Sequence, residues 1–171
     1  MSSKKNFCYS ILLGGNMRRK DREITDYNKM IKIMQKCDCC RLGFIDEDGV
    51  YILPLNFGIK EDDGKLILYF HGAKEGKKIN LIKSQKHIGF EMDTKHQLVK
   101  HDTACGYSYL YASIIGKGEV SLVEDITEKI IGLNSIMMHY SKKQEWVFTE
   151  EMVKEIAVIK LVVDNWTCKE H

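Results

Sequence analysis

Two short acidic segments that end in glycine, each lying between apolar runs, constrain the fold of this chain more than any other feature. Residues 46–49 read DEDG and residues 61–64 read EDDG, and the runs around them are rich in β-branched and aromatic residues. A glycine at positive φ allows a tight turn between antiparallel strands, whereas parallel strands need a longer crossover. The sequence therefore predicts successive β-hairpins and excludes a sheet built from βαβ units.

Alternating apolar and polar residues predict six or seven strands. The clearest of them cover residues 39–46, 50–57, 66–70, 87–92, 106–123 and 156–163. Gly116 and Gly118 predict a bend or bulge inside the longest strand. Pro54, the only proline, lacks a backbone N–H and should lie at a sheet edge or a bulge.

Three or four helices are inserted between these strands. Apolar residues with helical spacing follow Thr25 or Asp26, either of which can cap a helix. A second helix is predicted over residues 77–83, a third after a capping box at Asp125, and a short fourth from Thr149. The third helix should bury Ile126, Ile130, Leu133 and Met137. Residues 94–105 read as a polar loop and residues 164–171 as a tail, so the sequence favours a small antiparallel barrel with helices outside.

The composition is that of a soluble globular chain of one domain, with 171 residues, 44% of them hydrophobic and 29% charged. The 26 basic and 24 acidic residues leave a net charge of +2, which provides no general attraction to nucleic acid. No apolar run approaches the roughly 18 residues of a membrane span. The six cysteines are not regularly paired, so free thiols in the cytoplasm are expected.

Residues 1–16 differ from the rest of the chain. Two lysines precede a short apolar stretch, but no small-x-small cleavage site follows, which argues against an export signal. The segment GGNM can be encoded by a purine-rich run that resembles a ribosome-binding sequence before a start codon. We therefore hypothesise that Met17 is the natural start, with residues 1–16 as an extension and residues 17–171 as the domain.

A loop with two glycines follows the third predicted strand and leads into a helix that begins with two lysines. It runs from Gly72 through Gly76 to Lys77 and Lys78. A helix N-terminus with nearby cations is a binding site for a phosphate. The loop is not a Walker A motif, because the glycine spacing is too short and Lys78 replaces the hydroxyl residue. The alternative is a solvated helix start with two surface lysines.

Two polar residues near this loop could contact a ligand. His71 ends an apolar strand directly before Gly72, where a neutral imidazole could donate a hydrogen bond or a proton. Asn56 lies among apolar residues, and a buried amide needs several hydrogen-bond partners, from a ligand ring edge or from a neighbouring strand. The alternative for both residues is a structural role.

A cysteine cluster at positions 37, 39 and 40 could bind a metal together with Cys105 and His101. Zinc sites usually contain two matched cysteine pairs, and this chain has one irregular cluster. Buried thiols without a metal are therefore the expected state.

Several segments together resemble the nitroimidazole-reductase (Nim) family, which belongs to the FMN-binding split barrels similar to pyridoxamine 5′-phosphate oxidase. In chain order they are MRRKDREI, CRLGFID, VYILPLNFG, LYFHGAKEGKKINLIK, GFEMD, YLYASIIGKGEV and AVIKLVVD. The resemblance covers nearly the whole chain from residue 17 to residue 169. It is most specific where YILPLNFG is followed by LYFHGAKEGKKI, and it implies a mainly β antiparallel split barrel of six to seven strands with added helices.

The resemblance also implies a homodimer with FMN at the subunit interface, and it assigns site residues one by one. The flavin ring and ribityl chain would lie against Leu53, Leu55 and Asn56, and the flavin edge would follow His71 and Gly72. The phosphate would be held by Lys77 and Lys78, and the pocket would be lined by Tyr111 and Ser113, from the same or the other subunit. His71 is the candidate catalytic residue. Gly72 stands where the family often has serine or another small polar residue, so the resemblance implies that one side-chain hydrogen bond is missing.

The activity implied by the resemblance is that of an FMN-dependent oxidoreductase. Electrons would pass from a reduced donor such as NADH or NADPH through FMN to a small-molecule acceptor, as in a nitroreductase. The segments that bind pyridoxamine phosphate in the true oxidases are not recognisable, so vitamin B6 synthesis is not expected. Two alternatives remain open, a non-catalytic flavin- or haem-binding protein on the same fold and a structural or protein-interaction domain.

Overall fold

The structure is a computed structural model that describes residues 19–143 and 146–171. The predicted extension over residues 1–16 and the predicted start at Met17 lie outside the described residues. Within them the chain forms four α-helices and eight strands, more than the six or seven strands predicted. The strands are β1 (Glu23–Ile24), β2 (Cys40–Asp46), β3 (Gly49–Leu55), β4 (Phe57–Asp62), β5 (Lys65–Gly72), β6 (His87–Val99), β7 (Ser108–Val123) and β8 (Ala157–Glu170). The helices are α1 (Tyr27–Met34), α2 (Lys77–Ser84), α3 (Ile126–Ser141) and α4 (Glu150–Lys154), with short 3-10 turns at Lys20–Arg22 and Ala104–Gly106.

All strands pair antiparallel in one sheet with the order β3-β2-β6-β7-β8-β5-β4, and β1 pairs with the end of β8. The two terminal strands of this order, β3 and β4, are joined through Asn56 alone. Because consecutive Cα atoms are about 3.8 Å apart, the sheet must curl until its two edges meet at this point. We call residues 55–57 the barrel corner. The chain thus joins the edges at one place and leaves the barrel open elsewhere, which confirms the predicted split barrel.

The prediction of a single strand over residues 50–57 is wrong, because the chain changes partners at the barrel corner. Leu55 still pairs with Cys40 of β2, whereas Phe57 already pairs with Phe70 of β5. Pro54 lies on β3, a terminal strand, as its missing N–H predicts.

The barrel interior is filled by residues that alternate along the strands. Cys40, Leu42 and Phe44 of β2 are each at most 1% exposed, which confirms the predicted alternation. A second, smaller apolar cluster lies between α3 and the outer face of the sheet. There Gly58 of β4 allows close packing, because a Cβ at this position would overlap the backbone of Ser135 in α3.

Three of the helices begin with the side-chain caps that the sequence predicts. The carboxylate of Asp26 accepts a hydrogen bond from the Lys29 N–H at 2.6 Å, and Asp125 and Thr149 cap α3 and α4 in the same way. The predicted buried face of α3 is only partly right. Leu133 is buried, while Ile126, Ile130 and Met137 are half-buried, and Ile136 and His139 are buried instead.

Two strands are longer than predicted, because pairing with a neighbour extends them through polar residues. β6 continues to Val99 opposite Ser108 of β7, so the predicted loop over residues 94–105 is a strand in its first half. β8 continues to Glu170, so residues 164–170 belong to a strand and not to the predicted tail. Trp166 in this segment is buried, with 7% of its surface exposed. The register between β7 and β8 does shift at Lys117 and Gly118, but the extra residue is Asp164 of β8, so the bulge predicted in β7 lies on its partner strand. Across the described residues, no helix is long and apolar enough to cross a membrane.

Candidate functional site

The N-terminus of α2 lacks a side-chain cap, unlike the other α-helices in the described part of the chain. Its N-cap residue is Gly76, which has no side chain to accept a hydrogen bond. The φ of +109° at this position is one that glycine adopts readily and other residues rarely do. In the other helices the caps Asp26, Asp125 and Thr149 bind the third N–H of the helix. In α2 that N–H, of Ile79, donates to the Gly76 carbonyl at 3.0 Å, and the N–H groups of Lys77 and Lys78 have no acceptor among the described residues. Free N–H groups and the helix dipole make this position suitable for an anion.

The side chain of Lys78 lies directly over Gly72. A Cβ at Gly72 would overlap the end of the Lys78 side chain, so the absence of a side chain there leaves the space that the lysine occupies. Lys78 is half-buried and forms no ion pair with any residue in the ranges 19–143 and 146–171. Its charge is thus available to a ligand.

Lys77 has a different environment from its neighbour. Its ammonium group forms an ion pair with Asp46 at the end of β2 and lies 5.1 Å from the centre of the Tyr51 ring. The hydrogen bond with Lys77 lowers the pKa of Asp46, and the same bond raises the pKa of Lys77. The two lysines, predicted together as phosphate ligands, are therefore not equivalent.

The barrel corner brings Asn56 next to His71. Phe57 of β4 pairs with Phe70 of β5, so Asn56 and His71 are the next residues along these two segments, and both are exposed. The expectation of a buried Asn56 amide is therefore wrong. Burial raises the pKa of the Tyr140 hydroxyl, and hydrogen bonds with the Asn56 side chain and the backbone of Phe57 act in the opposite direction.

Leu53 and Leu55 lie on the inner face of β3. Both side chains are half-buried and pack against the barrel core. The outer face of β3 instead carries Val50 and Ile52, which are 70% and 54% exposed. A contact between a ligand and Leu53 or Leu55 stays a prediction, and it requires the ligand to reach their backbone or the inner edge of the barrel.

Tyr111 and Ser113 lie far from α2 along the same chain. Gly72 pairs with Ala157 at the start of β8, whereas Ser113 pairs with Lys169 near its end. These two positions are separated by roughly 40 Å of strand contour. One chain therefore gathers Asn56, His71, Gly72 and Lys78, and it leaves Tyr111 and Ser113 at the other end of β8.

An apolar groove of about 340 Å³ lies on the outer face of the sheet, and the sequence analysis did not predict it. Its floor is Gly43 and Gly89, which pair across β2 and β6, and Ile52 and Arg41 stand beside them. Arg41 donates hydrogen bonds to Glu91 at 2.9 Å and to Asp93 at 2.6 Å. The available signal was the apolar character of both faces of VYILPL, since a strand with two apolar faces is usually covered on both.

The cysteines of the described residues are free thiols. Cys37 and Cys40 are buried, and burial raises the pKa of Cys37 to about 12. Cys105 is exposed in the turn between β6 and β7. No group of three His, Cys, Asp or Glu side chains in ranges 19–143 and 146–171 is arranged to hold a metal ion.

Comparison with known proteins relates the chain to one family. The family model described as pyridoxamine 5′-phosphate oxidase matches residues 27–170. A provisionally named 5-nitroimidazole antibiotic resistance protein from Bacteroides thetaiotaomicron VPI-5482 is 32% identical, with 86% of each chain covered and a TM-score of 0.74. These matches confirm the resemblance predicted from the sequence. No curated protein matches the chain.

Two more distant structures share the fold. The flavocytochrome Anf3 from Azotobacter vinelandii is 18% identical over 91% of this chain and 72% of that chain, with a TM-score of 0.71. The FAD and haem binding protein from Mycobacterium smegmatis is 13% identical over 87% of this chain and 73% of that chain, with a TM-score of 0.72. At this level of identity they establish the fold alone.

Proposed function

Because the chain belongs to the pyridoxamine 5′-phosphate oxidase family, we propose that it is an FMN-dependent oxidoreductase of the nitroimidazole-reductase type. Its donor is a reduced nicotinamide, NADH or NADPH, and its acceptor is a small molecule such as a nitro compound or a quinone. The observation that carries the proposal is the N-terminus of α2, which has no side-chain cap, beside Lys78, which has no ion-pair partner among the described residues.

The residues at this position fit the phosphate of FMN. The free N–H groups of α2 offer hydrogen-bond donors, and Lys78 offers a charge that has no protein partner in the described chain. The glycine at position 72 fits this role, because any side chain there would displace Lys78. A phosphate here therefore receives both donors and charge without breaking an existing contact of Lys78.

The remaining residues would orient and shield the flavin. Asn56 and His71 are exposed side by side at the barrel corner, where an amide and an imidazole can hydrogen-bond the edge of a polar ring. When bound, FMN supplies the redox chemistry, taking electrons from the donor and passing them to the acceptor. His71 is the residue placed to contact the acceptor and to donate a proton at its ring nitrogen.

We further propose that two copies of the chain complete each site. The separation of Tyr111 and Ser113 from Lys78 along β8 supports this arrangement, because a second copy can supply what the first leaves distant. The outer face of the sheet also carries apolar residues that a monomer would leave in water. Ile45, Ile115, Val50 and Ile52 are all more than half exposed.

The test is an absorbance spectrum of the freshly purified protein, recorded anaerobically before and after addition of NADH and of NADPH. We expect two flavin bands in the near-ultraviolet and blue, and we expect them to bleach with one of the two donors. The extracted flavin is identified by its chromatographic retention time, compared with those of riboflavin, FMN and FAD.

Each other outcome separates the proposal from its alternatives. Flavin bands that persist with both donors, together with nitro compounds that remain unreduced, would indicate a flavin-binding protein without this activity. A Soret band would indicate haem. A colourless protein that does not bind added FMN would remove the cofactor and every site residue assigned to it.

A further inference from the structure

We infer that Asp46 competes with the ligand phosphate for Lys77 and so sets how strongly the protein prefers FMN over riboflavin. This inference rests on the proposed FMN site at α2. It assigns a role to Asp46, whose sequence context DEDG indicates only a turn.

The contacts of Lys77 show that its charge is already in use. Asp46 forms the ion pair, and the Tyr51 ring lies under the same ammonium group at 5.1 Å. The Asp46 side chain is only 19% exposed, whereas that of Lys77 is 55% exposed. A carboxylate with little freedom thus holds a lysine that could otherwise turn toward the N-terminus of its own helix.

Asp46 and the adjacent Ile45 both connect the β2–β3 hairpin to α2, Asp46 through Lys77 and Ile45 through Gln85. At the far end of the helix, the side-chain amide of Gln85 accepts from the Ile45 N–H at 2.9 Å and donates to the Ile45 carbonyl at 2.7 Å. Because this second attachment is independent of Asp46, the hairpin remains in place when the carboxylate is removed. Asp46 can therefore be changed without losing the position of α2.

The competition has a defined physical form. A phosphate near the start of α2 and the Asp46 carboxylate are both anions within reach of one ammonium group, so each weakens the attraction of Lys77 for the other. An exposed ion pair is a weak interaction, so releasing Lys77 from Asp46 should change FMN affinity by a small factor, about fivefold. Riboflavin lacks the phosphate, so the affinity of the protein for riboflavin does not depend on whether Lys77 is paired with Asp46.

The experiment compares Asp46→Asn with the wild-type protein. Dissociation constants for FMN and for riboflavin are measured by flavin fluorescence on protein freed of bound flavin. We expect Asp46→Asn to bind FMN about fivefold more tightly, with riboflavin unchanged. In the Lys77→Met background, Asp46→Asn should change FMN affinity less than about twofold. The ammonium group for which Asp46 and the phosphate compete is absent from that variant.

The matched control is Asp62→Asn in the other hairpin turn. Asp62 also pairs with a lysine, Lys60, but lies on β4 away from α2, so its loss should leave both affinities unchanged. Circular dichroism checks that each variant is folded.

Three results would overturn the inference while leaving the cofactor proposal intact. They are an unchanged or weaker FMN affinity in Asp46→Asn, an equal gain for riboflavin, and an equal gain in the Lys77→Met background. If the wild-type protein binds neither flavin, the inference and the proposed function both fail.

Discussion

The hydroxyl of Tyr140 donates a hydrogen bond to the backbone carbonyl of Asp38 at 2.8 Å. It also accepts one from the N–H of Phe57 at 3.2 Å, and the adjacent His139 donates from Nε2 to the Cys37 carbonyl at 2.9 Å. The end of α3 thus holds both the segment before β2 and the barrel corner. Since the corner carries Asn56, the packing of α3 helps to position that part of the candidate site.

Replacing Tyr140 with phenylalanine should destabilise the protein by about 1–3 kcal/mol, because the Phe57 N–H and the Asp38 carbonyl lose a shared partner. The measurement is the midpoint of urea unfolding. Tyr107→Phe is the matched control, since Tyr107 is 49% exposed and its hydroxyl has no hydrogen bond within the described residues. Equal midpoints for the two variants would mean that the corner does not depend on α3.

Gly58→Ala should destabilise the protein by about 1–3 kcal/mol through overpacking, because the new Cβ would overlap the backbone of Ser135 and Ile136. The measurement is the thermal unfolding midpoint. Gly89→Ala is the control, because its Cβ would meet only the Gly116 carbonyl oxygen, at an ordinary 3.8 Å. A Gly58→Ala variant as stable as this control would contradict the close packing of α3 on β4.

His139 should make stability depend on pH below about 6.5. Burial lowers its pKa, with Lys142 acting in the same direction, while its bond to Cys37 and the charge of Asp38 act against the shift. The unfolded chain therefore binds a proton that the folded chain does not, and the free energy of unfolding decreases as pH falls through the ordinary histidine value of 6.5.

The measurement is urea unfolding at several pH values between 5 and 8 for the wild type and for His139→Gln. We expect a smaller decrease toward low pH in the variant. His87→Gln, at a histidine whose side chain is 63% exposed, serves as the control. An identical pH profile for the wild type and His139→Gln would contradict the prediction.

Mixing two defective variants should restore flavin binding if two chains build each site. Lys78→Met should weaken the phosphate contact and Tyr111→Ala the contact from the other end of β8. After co-refolding, about a quarter of the sites receive neither substitution, since half of the dimers are mixed and each of these has one intact site. Bound FMN per chain is the measurement. A mixture that binds no more than the average of the two variants would place the whole site in one chain.

His71→Ala should retain FMN and lower turnover of a nitro acceptor by roughly 10²-fold, if the imidazole donates a proton to the acceptor. The readout is the rate of flavin reoxidation by the acceptor after reduction with dithionite. Turnover at the wild-type rate would reduce His71 to a structural residue.

Local patterns were sufficient for most of the secondary structure and for part of the site. The turn at Gly49 and the caps at Asp26 and Asp125 each depend on one or two neighbouring residues, so the sequence predicts them. The strand ends at Val99 and Glu170 were missed because polar residues there are held by cross-strand partners rather than by their own propensity.

The sequence by itself determined the hairpins, the helix starts and the loop that leads into Lys77 and Lys78, because turn chemistry and periodicity act over a few residues. Only the tertiary structure decided that the two lysines differ, since Asp46 and Gly72 reach them from separate strands. It also decided that Asn56 is exposed at the barrel corner beside His71, and that Tyr111 of β7 lies next to the C-terminal end of β8. These relationships depend on strand order and register, which are set by the packing of the whole barrel and leave no local trace in the sequence.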